Sequence, residues 1–143
     1  MRRPFDRQRS RSACWSRPSS ATAGALRKTA FDHLFANIPV RDRELARAWY
    51  ERLLGCPPDL VPNVREAAWR LTDTSWIVIE ADPPRAGTAL HTLLVDDLGG
   101  LLAGLTERGV QAGPVEVIGP GVRQSIVADP DGNRLKLGQS PAS

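Results

Sequence analysis

The sequence predicts an α+β fold made of two copies of a strand–helix–three-strand (βαβββ) module. Three observations predict it. An apolar, strand-like run followed by an aspartate and a helical apolar stripe occurs twice, first at residues 33–53 and again at 89–105. Superposing Val40/Asp42 on Val95/Asp97 aligns the halves at an offset of 55 residues and brings Ala48 onto Ala103. The 143-residue chain is 41% hydrophobic and 24% charged, the balance of one globular domain.

The first module, about residues 31–82, opens with the strand-like run His33–Val40, which ends beside Pro39. Asp42 is placed to cap a helix. Leu45, Ala48, Trp49 and Leu53 mark one apolar face of that helix, Gly55 ends it, and Pro57-Pro58 prevent its continuation. Strands are expected near Asp59–Val64, Glu66–Leu71 and Ser75–Ala81, the last two joined by a turn at Thr72-Asp73-Thr74. The second module, about residues 88–139, repeats the order. A strand covers Ala89–Val95, and Asp97 caps a helix striped by Leu98, Leu101, Leu102 and Leu105 that closes at Gly109. Strands follow near Pro114–Ile118, Val122–Ala128 and Arg134–Gly138, with a turn at Asp129-Pro130-Asp131-Gly132. Together these form a single domain over residues 31–140.

Residues 1–30 stand apart. The formal charge is +3, yet of 19 basic and 16 acidic side chains eight basic and one acidic lie in this segment, leaving 11 against 15 in the body. An acidic body offers no electrostatic footprint for nucleic acid. Rich in Arg, Ser and Ala and without apolar periodicity, the segment is expected to be disordered. It lacks the apolar centre of a secretory signal. Its composition resembles an organelle transit peptide, but it reads as a basic extension, and a cytoplasmic location is expected. No apolar run approaches the ~18 residues of a membrane span. Cys14 and Cys56 make neither a disulfide framework nor a zinc cluster.

A helix covers one face of each sheet, so two such sheets side by side are expected to enclose a cleft between their open faces. Strand parity then assigns the lining. Leu34, Ala36, Ile38 and Val40 should meet the helix, leaving His33, Phe35 and Asn37 to face the cleft. In the second half His91, Leu93 and Val95 turn to the helix, and Leu90, Thr92 and Leu94 turn to the cleft. Trp69 and Trp76, if not ordinary sheet core, are placed to stack on a flat ligand. Arg123 and Lys136 would give the cleft a cationic end unless they are solvated strand charges. His33 is the one histidine expected near the cleft and a weak candidate base, and Glu80 a weak second candidate, both read more readily as strand-end surface groups.

Four segments resemble the vicinal oxygen chelate superfamily: Ile38-Pro39-Val40-Arg41-Asp42, the helix end Trp49–Gly55, the Val95-Asp96-Asp97-Leu98 junction, and Asp129-Pro130-Asp131-Gly132-Asn133. The superfamily includes glyoxalases, extradiol dioxygenases, fosfomycin-resistance enzymes and bleomycin-resistance proteins. The resemblance covers nearly all of residues 31–140 and implies the glyoxalase/bleomycin-resistance/dioxygenase fold. It also implies positions for a divalent metal. The usual first-strand histidine falls on Phe35, the histidine opening the second half on Leu90, and the last-strand glutamate on Lys136; Glu80 is the candidate for the remaining ligand. Phe35 and Leu90 have no lone pair to donate and Lys136 is cationic, so no metal or other cofactor is expected.

The sequence reading is therefore a metal-free, small-molecule-binding protein akin to the bleomycin-resistance branch, with no assignment as an enzyme. Phe35, Asn37, Trp69, Trp76, Leu90, Thr92, Arg123 and Lys136 are its expected ligand contacts. The alternative is a divalent-metal-dependent lyase of the glyoxalase type, or a dioxygenase, with an altered site using His33 and Glu80. A third reading is a regulatory or structural module whose cleft is closed. No nucleic-acid or membrane partner is expected. A homodimer follows from the resemblance alone.

Overall fold

The computed structural model describes residues 29–141, so the basic extension, with Cys14 and Trp15, lies outside the described residues but for its last two positions. In chain order the elements are β1 (Leu34–Val40), α1 (Arg43–Leu54), β2 (Glu66–Thr72), β3 (Ser75–Ala81), a 3₁₀ turn (Pro83–Arg85), β4 (Leu90–Leu94), α2 (Leu98–Glu107), β5 (Glu116–Gly119), β6 (Val122–Ala128) and β7 (Arg134–Gln139). The first sheet has the order β1-β3-β2 and the second β4-β7-β6-β5. In each, the opening strand runs parallel to the last strand of its module, β1 to β3 and β4 to β7. The duplication seen in the sequence is thus present in the strand pairing. No helix of the described residues is long and apolar enough to cross a membrane.

The helix starts are where the sequence places them. The Asp42 carboxylate accepts from the backbone N–H groups of Glu44 (2.9 Å) and Leu45 (3.3 Å), and Asp97 accepts from Gly100 N–H (3.0 Å). Gly55 ends α1 at φ +80°, a left-handed conformation that favours glycine. Arg108, from the second module, donates to the carbonyls of Arg52 and Leu53 and so caps the free end of α1.

Three details differ from the sequence reading. The expected strand at Asp59–Val64 is reduced to one bridge, Leu60 opposite Ala68. Pro57, Pro58 and Pro62 lack the N–H that a ladder needs, and the Asp59 carboxylate takes over by accepting from Arg70 N–H (2.8 Å). The buried stripe of α1 is Ala46, Trp49, Tyr50 and Leu53; Leu45 and Ala48 face outward. Leu34 is 69% exposed at the start of β1, so of the expected helix-facing set only Ile38 and Val40 are buried.

The rotation of α1 has a cause. Tyr50 is fully buried and donates its hydroxyl to Asp129 (2.8 Å) in the turn between β6 and β7. Asp129 also accepts from Asn133 Nδ2 (2.8 Å) and from the backbone N–H of Asp131 and Asn133 (2.9 Å each). Asn133 in turn donates to the Pro39 carbonyl of β1 (2.8 Å) and accepts from Ala89 N–H (2.9 Å). One buried polar knot therefore joins α1, β1, the inter-module link and the β6–β7 turn. The link lies so close to that turn that a Cβ on Gly87, at φ +88°, would come within 2.3 Å of the Asp131 carbonyl oxygen. Around the knot a single apolar core takes Ile38, Val40, Trp69, Ile77 and Ile79 from the first module and Leu98, Leu105, Val127, Leu135 and Leu137 from the second.

Burial, reinforced by the neighbouring Asp129 carboxylate, pushes the Tyr50 phenol well above its ordinary value of 10.0. The unfolded chain then loses that proton before the folded one. The stabilisation is complete below about pH 10 and lost as the pH rises beyond it. Tyr50→Phe is expected to cost about 1–2 kcal/mol at neutral pH and to flatten the alkaline fall in stability. Denaturant midpoints of both proteins from about pH 8 to about pH 11 check this; equal alkaline slopes would contradict it.

Candidate functional site

Alternation along the strands divides the first sheet into two faces. Ile38, Val40, Ala67, Trp69, Ile77 and Ile79 pack into the core under α1, whereas Ala68, Trp76 and Val78 form a second, smaller apolar cluster with Leu60 on the other face. Strand register sets that open face out in three rows. Phe35, Trp76 and Arg70 form the first, Asn37, Val78 and Ala68 the second, and Pro39, Glu80 and Glu66 the third. The Leu60–Pro62 segment, held on Ala68 and Arg70 by the bridge and by Asp59, walls one side. The result is a groove of about 230 Å³ lined by Phe35, Asn37, Leu60, Pro62, Glu66, Ala68, Trp76 and Val78.

Its chemistry follows from the rows. The Phe35 and Trp76 rings are parallel to within 3° with centroids 6.0 Å apart, an offset stack forming one aromatic shelf. Trp76 is 5% exposed and held in place, while Phe35 is 49% exposed and presents ring surface outward. Small side chains in the second row, Ala68 and Val78, keep the floor low. Arg70 at the aromatic end is tied to Asp73 (3.1 Å) and to the Thr72 carbonyl (3.2 Å).

The sequence-derived candidates separate accordingly. Phe35, Asn37 and Trp76 come together in the groove. Trp69 does not: it is fully buried on the core face, donating its indole N–H to the Cys56 carbonyl (2.9 Å) and packing 6.0 Å from Tyr50. The hairpin register explains the split, since Trp69 pairs with Ile77 and Arg70 with Trp76. Leu90, Thr92 and Lys136 share the open face of the second sheet, where Leu90 pairs with Arg134 and Thr92 with Lys136. Arg123 shares the parity of the buried Ser125 and Val127, and its Nη2 donates to Gln139 Oε1 (3.3 Å), which also accepts from Leu98 N–H at the start of α2. His33 precedes β1 and pairs with its neighbour Asp32 (2.8 Å). His91 lies in the ladder beside the buried Leu135, its Nε2 3.1 Å from the Asn37 carbonyl. Every lining residue of the groove comes from the first module.

Glu66, Ala68, Val78, Leu60 and Pro62 were not among the candidates. The signal for two of them lay in the turn Thr72-Asp73-Thr74. Folding the chain back there sets Arg70 opposite Trp76, so if Trp76 faces the groove, then Ala68 and Glu66 face it too.

The superfamily's metal positions are tested by the same register. Phe35–Trp76 corresponds to Leu90–Arg134, and Asn37–Val78 to Thr92–Lys136. The counterpart of Lys136 in the first module is therefore Val78, and Glu80 lies one pleat farther along β3. Phe35, Val78, Leu90 and Lys136 do not fit a divalent cation, as three have no lone pair to give and the fourth is itself cationic. Among the described residues no group of three or more His, Cys, Asp or Glu side chains is placed to hold a metal.

Residues 30–137 match the family model described as Glyoxalase/Bleomycin resistance protein/Dioxygenase superfamily. Among solved structures, a glyoxalase/bleomycin resistance protein from Catenulispora Acidiphila DSM 44928 is 41% identical, with a TM-score of 0.73 over 76% of this chain and 98% of that one. TnmS3, an antibiotic binding protein from Streptomyces sp. CB03234, is 26% identical, with a TM-score of 0.64 over 79% of this chain and 99% of its own. A bleomycin-binding protein complexed with bleomycin is 25% identical, with a TM-score of 0.63 over 79% of this chain and 100% of its own. Comparison with curated proteins finds no match.

Proposed function

The chain belongs to the Glyoxalase/Bleomycin resistance protein/Dioxygenase superfamily, and from that premise we propose that it captures a flat, largely apolar small molecule in its first-module groove without a divalent metal. The observation that carries this reading is the aromatic shelf of Phe35 and Trp76 over the low floor of Ala68 and Val78. A shelf of this kind holds a planar ligand by stacking and apolar burial, with Asn37 and Glu66 as polar anchors. Two of the similar structures support capture as the function: one is a bleomycin-binding protein complexed with bleomycin, the other an antibiotic binding protein. The donor set at the superfamily's metal positions supports leaving the metal out.

The proposed working form is a cytoplasmic homodimer. The open face of the second sheet carries Leu90, 45% exposed, and Leu94, 71% exposed, on the same side as Thr92 and Lys136. A second copy over that face would bury this apolar surface.

Two outcomes are expected. In a thermal-shift panel of planar aromatic compounds, at least one raises Tm by about 3 °C or more. The shift survives chelator and is lost in Ala68→Trp, which fills the groove; a shift abolished by chelator would overturn the metal-free reading. In sedimentation equilibrium the protein runs as a dimer and Leu94→Lys shifts it toward monomer. A monomeric parent protein would overturn the dimer.

A further inference from the structure

The open face of the second sheet carries two cations with nothing to balance them. Leu135 and Leu137 turn into the core, so Arg134 and Lys136 stand on the opposite face of β7, about 7 Å apart along the strand. Register gives them neutral neighbours on both sides: Leu90 and Ala128 flank Arg134, and Thr92 and Ile126 flank Lys136. The only carboxylate that these strands place on this face is Glu116, opposite Gln124 and two strands from β7. In the turn before β7, Asp129 belongs to the buried knot and Asp131 accepts from Arg41 N–H (3.2 Å). Other cations are engaged. Arg43, Arg47, Arg70 and Arg85 pair with carboxylates, and Arg65 and Arg108 donate to backbone carbonyls. Among the described residues, the side chains of Arg134 and Lys136 make neither an ion pair nor a hydrogen bond.

Lys136 is half-buried, which strengthens its attraction for an opposite charge relative to open solvent. Two cations at this separation can hold one tetrahedral group from both sides, Arg134 by its planar fork and Lys136 as a point charge. The Thr92 hydroxyl, across the ladder from Lys136, is a further donor. The surroundings are apolar. Leu90 and Ile126 border the cations, and Leu94 lies across Gly138, where an added Cβ would come 3.2 Å from Leu94 Cδ2. We infer that this face is a second binding site, for a small organic phosphate: a monoester dianion held by Arg134, Lys136 and Thr92, with its short apolar group against the neighbouring leucines. A dianion neutralises both cations, a carboxylate only one, and a neutral ligand neither. A second copy over this face, as proposed above, would bury both cations, and the phosphate supplies the counter-charge that such burial requires.

The test is calorimetric titration of the full chain with butyl phosphate, inorganic phosphate and pentanoate at about pH 8, where phosphate monoesters are dianions. Butyl phosphate is expected to bind most tightly, and pentanoate about tenfold more weakly. Added salt should weaken all three. Arg134→Gln/Lys136→Gln should lower the affinity for butyl phosphate by about tenfold or more, while Arg85→Gln, which removes a charge elsewhere, leaves it unchanged. Unchanged affinity in the double variant, an equal loss in Arg85→Gln, or failure of both phosphates to bind would overturn the site. Pentanoate binding as tightly as butyl phosphate would overturn the assignment of a dianion. Sedimentation equilibrium separates this result from the dimer: a monomer that binds butyl phosphate overturns the dimer and leaves the site standing, and a dimer that binds no phosphate does the reverse.

Discussion

The buried knot of Tyr50, Asp129 and Asn133 is the constraint on which the rest of the structure depends. Two modules with separate sheets share one core only if their relative placement is fixed, and apolar packing alone is not directional. The knot supplies direction. Asp129 gathers four donors and Asn133 bonds to β1 and to the inter-module link, so a shift of either module would leave several buried polar groups unpaired. The same contact turns α1 so that Tyr50 and Ala46 go inward in place of Leu45 and Ala48. This places Trp69 and Ile77 under the helix and, by strand alternation, leaves Ala68, Trp76 and Val78 for the opposite face. The groove is the reverse side of the core.

This origin gives the groove its character. The open face of a sheet presents a flat row of side chains, and here the rows differ: aromatic, small, then acidic. The positions at which the resemblance implies metal ligands carry Phe35, Leu90 and Lys136, and the register counterpart of Lys136 in the first module is Val78. At these positions the open faces of the two sheets carry apolar side chains and one cation. Fold and activity are separable in this way because a site is a handful of side chains on a scaffold fixed by others.

Much of the architecture was legible in the sequence because it rests on local signals. Asp42 and Asp97 announced the helix starts, Gly55 and Gly109 their ends, and the 55-residue offset the repeat. The deviations arise where a long-range contact overrode a local pattern. Leu45 fits a helical stripe as well as Ala46 does, and only the distant Asp129 makes Tyr50 an inward residue. The Asp59–Val64 segment has strand-like residues, yet its prolines leave one bridge. In β6 both parities contain apolar residues, and Ser125 is acceptable in the interior because its hydroxyl donates to the Gly113 carbonyl (2.7 Å). Arg123, on that parity, therefore turns toward α2. Of the candidate site, Phe35 and Asn37 were readable from alternation, whereas β3 is apolar on both parities and Trp76 became separable from Trp69 only through the hairpin register. Leu60 and Pro62 had no local signal, since their position depends on Asp59 reaching Arg70.

The most direct measurement is a heteronuclear magnetic-resonance titration of chelator-treated protein with a planar aromatic compound that raises its Tm. Resonance changes are predicted at Phe35, Asn37, Glu66, Ala68 and Trp76, with the Trp69 indole N–H unmoved beneath the sheet. Changes confined to β4 and β7, around Leu90, Thr92 and Lys136, would contradict the account, as would changes that appear only when a divalent metal is restored.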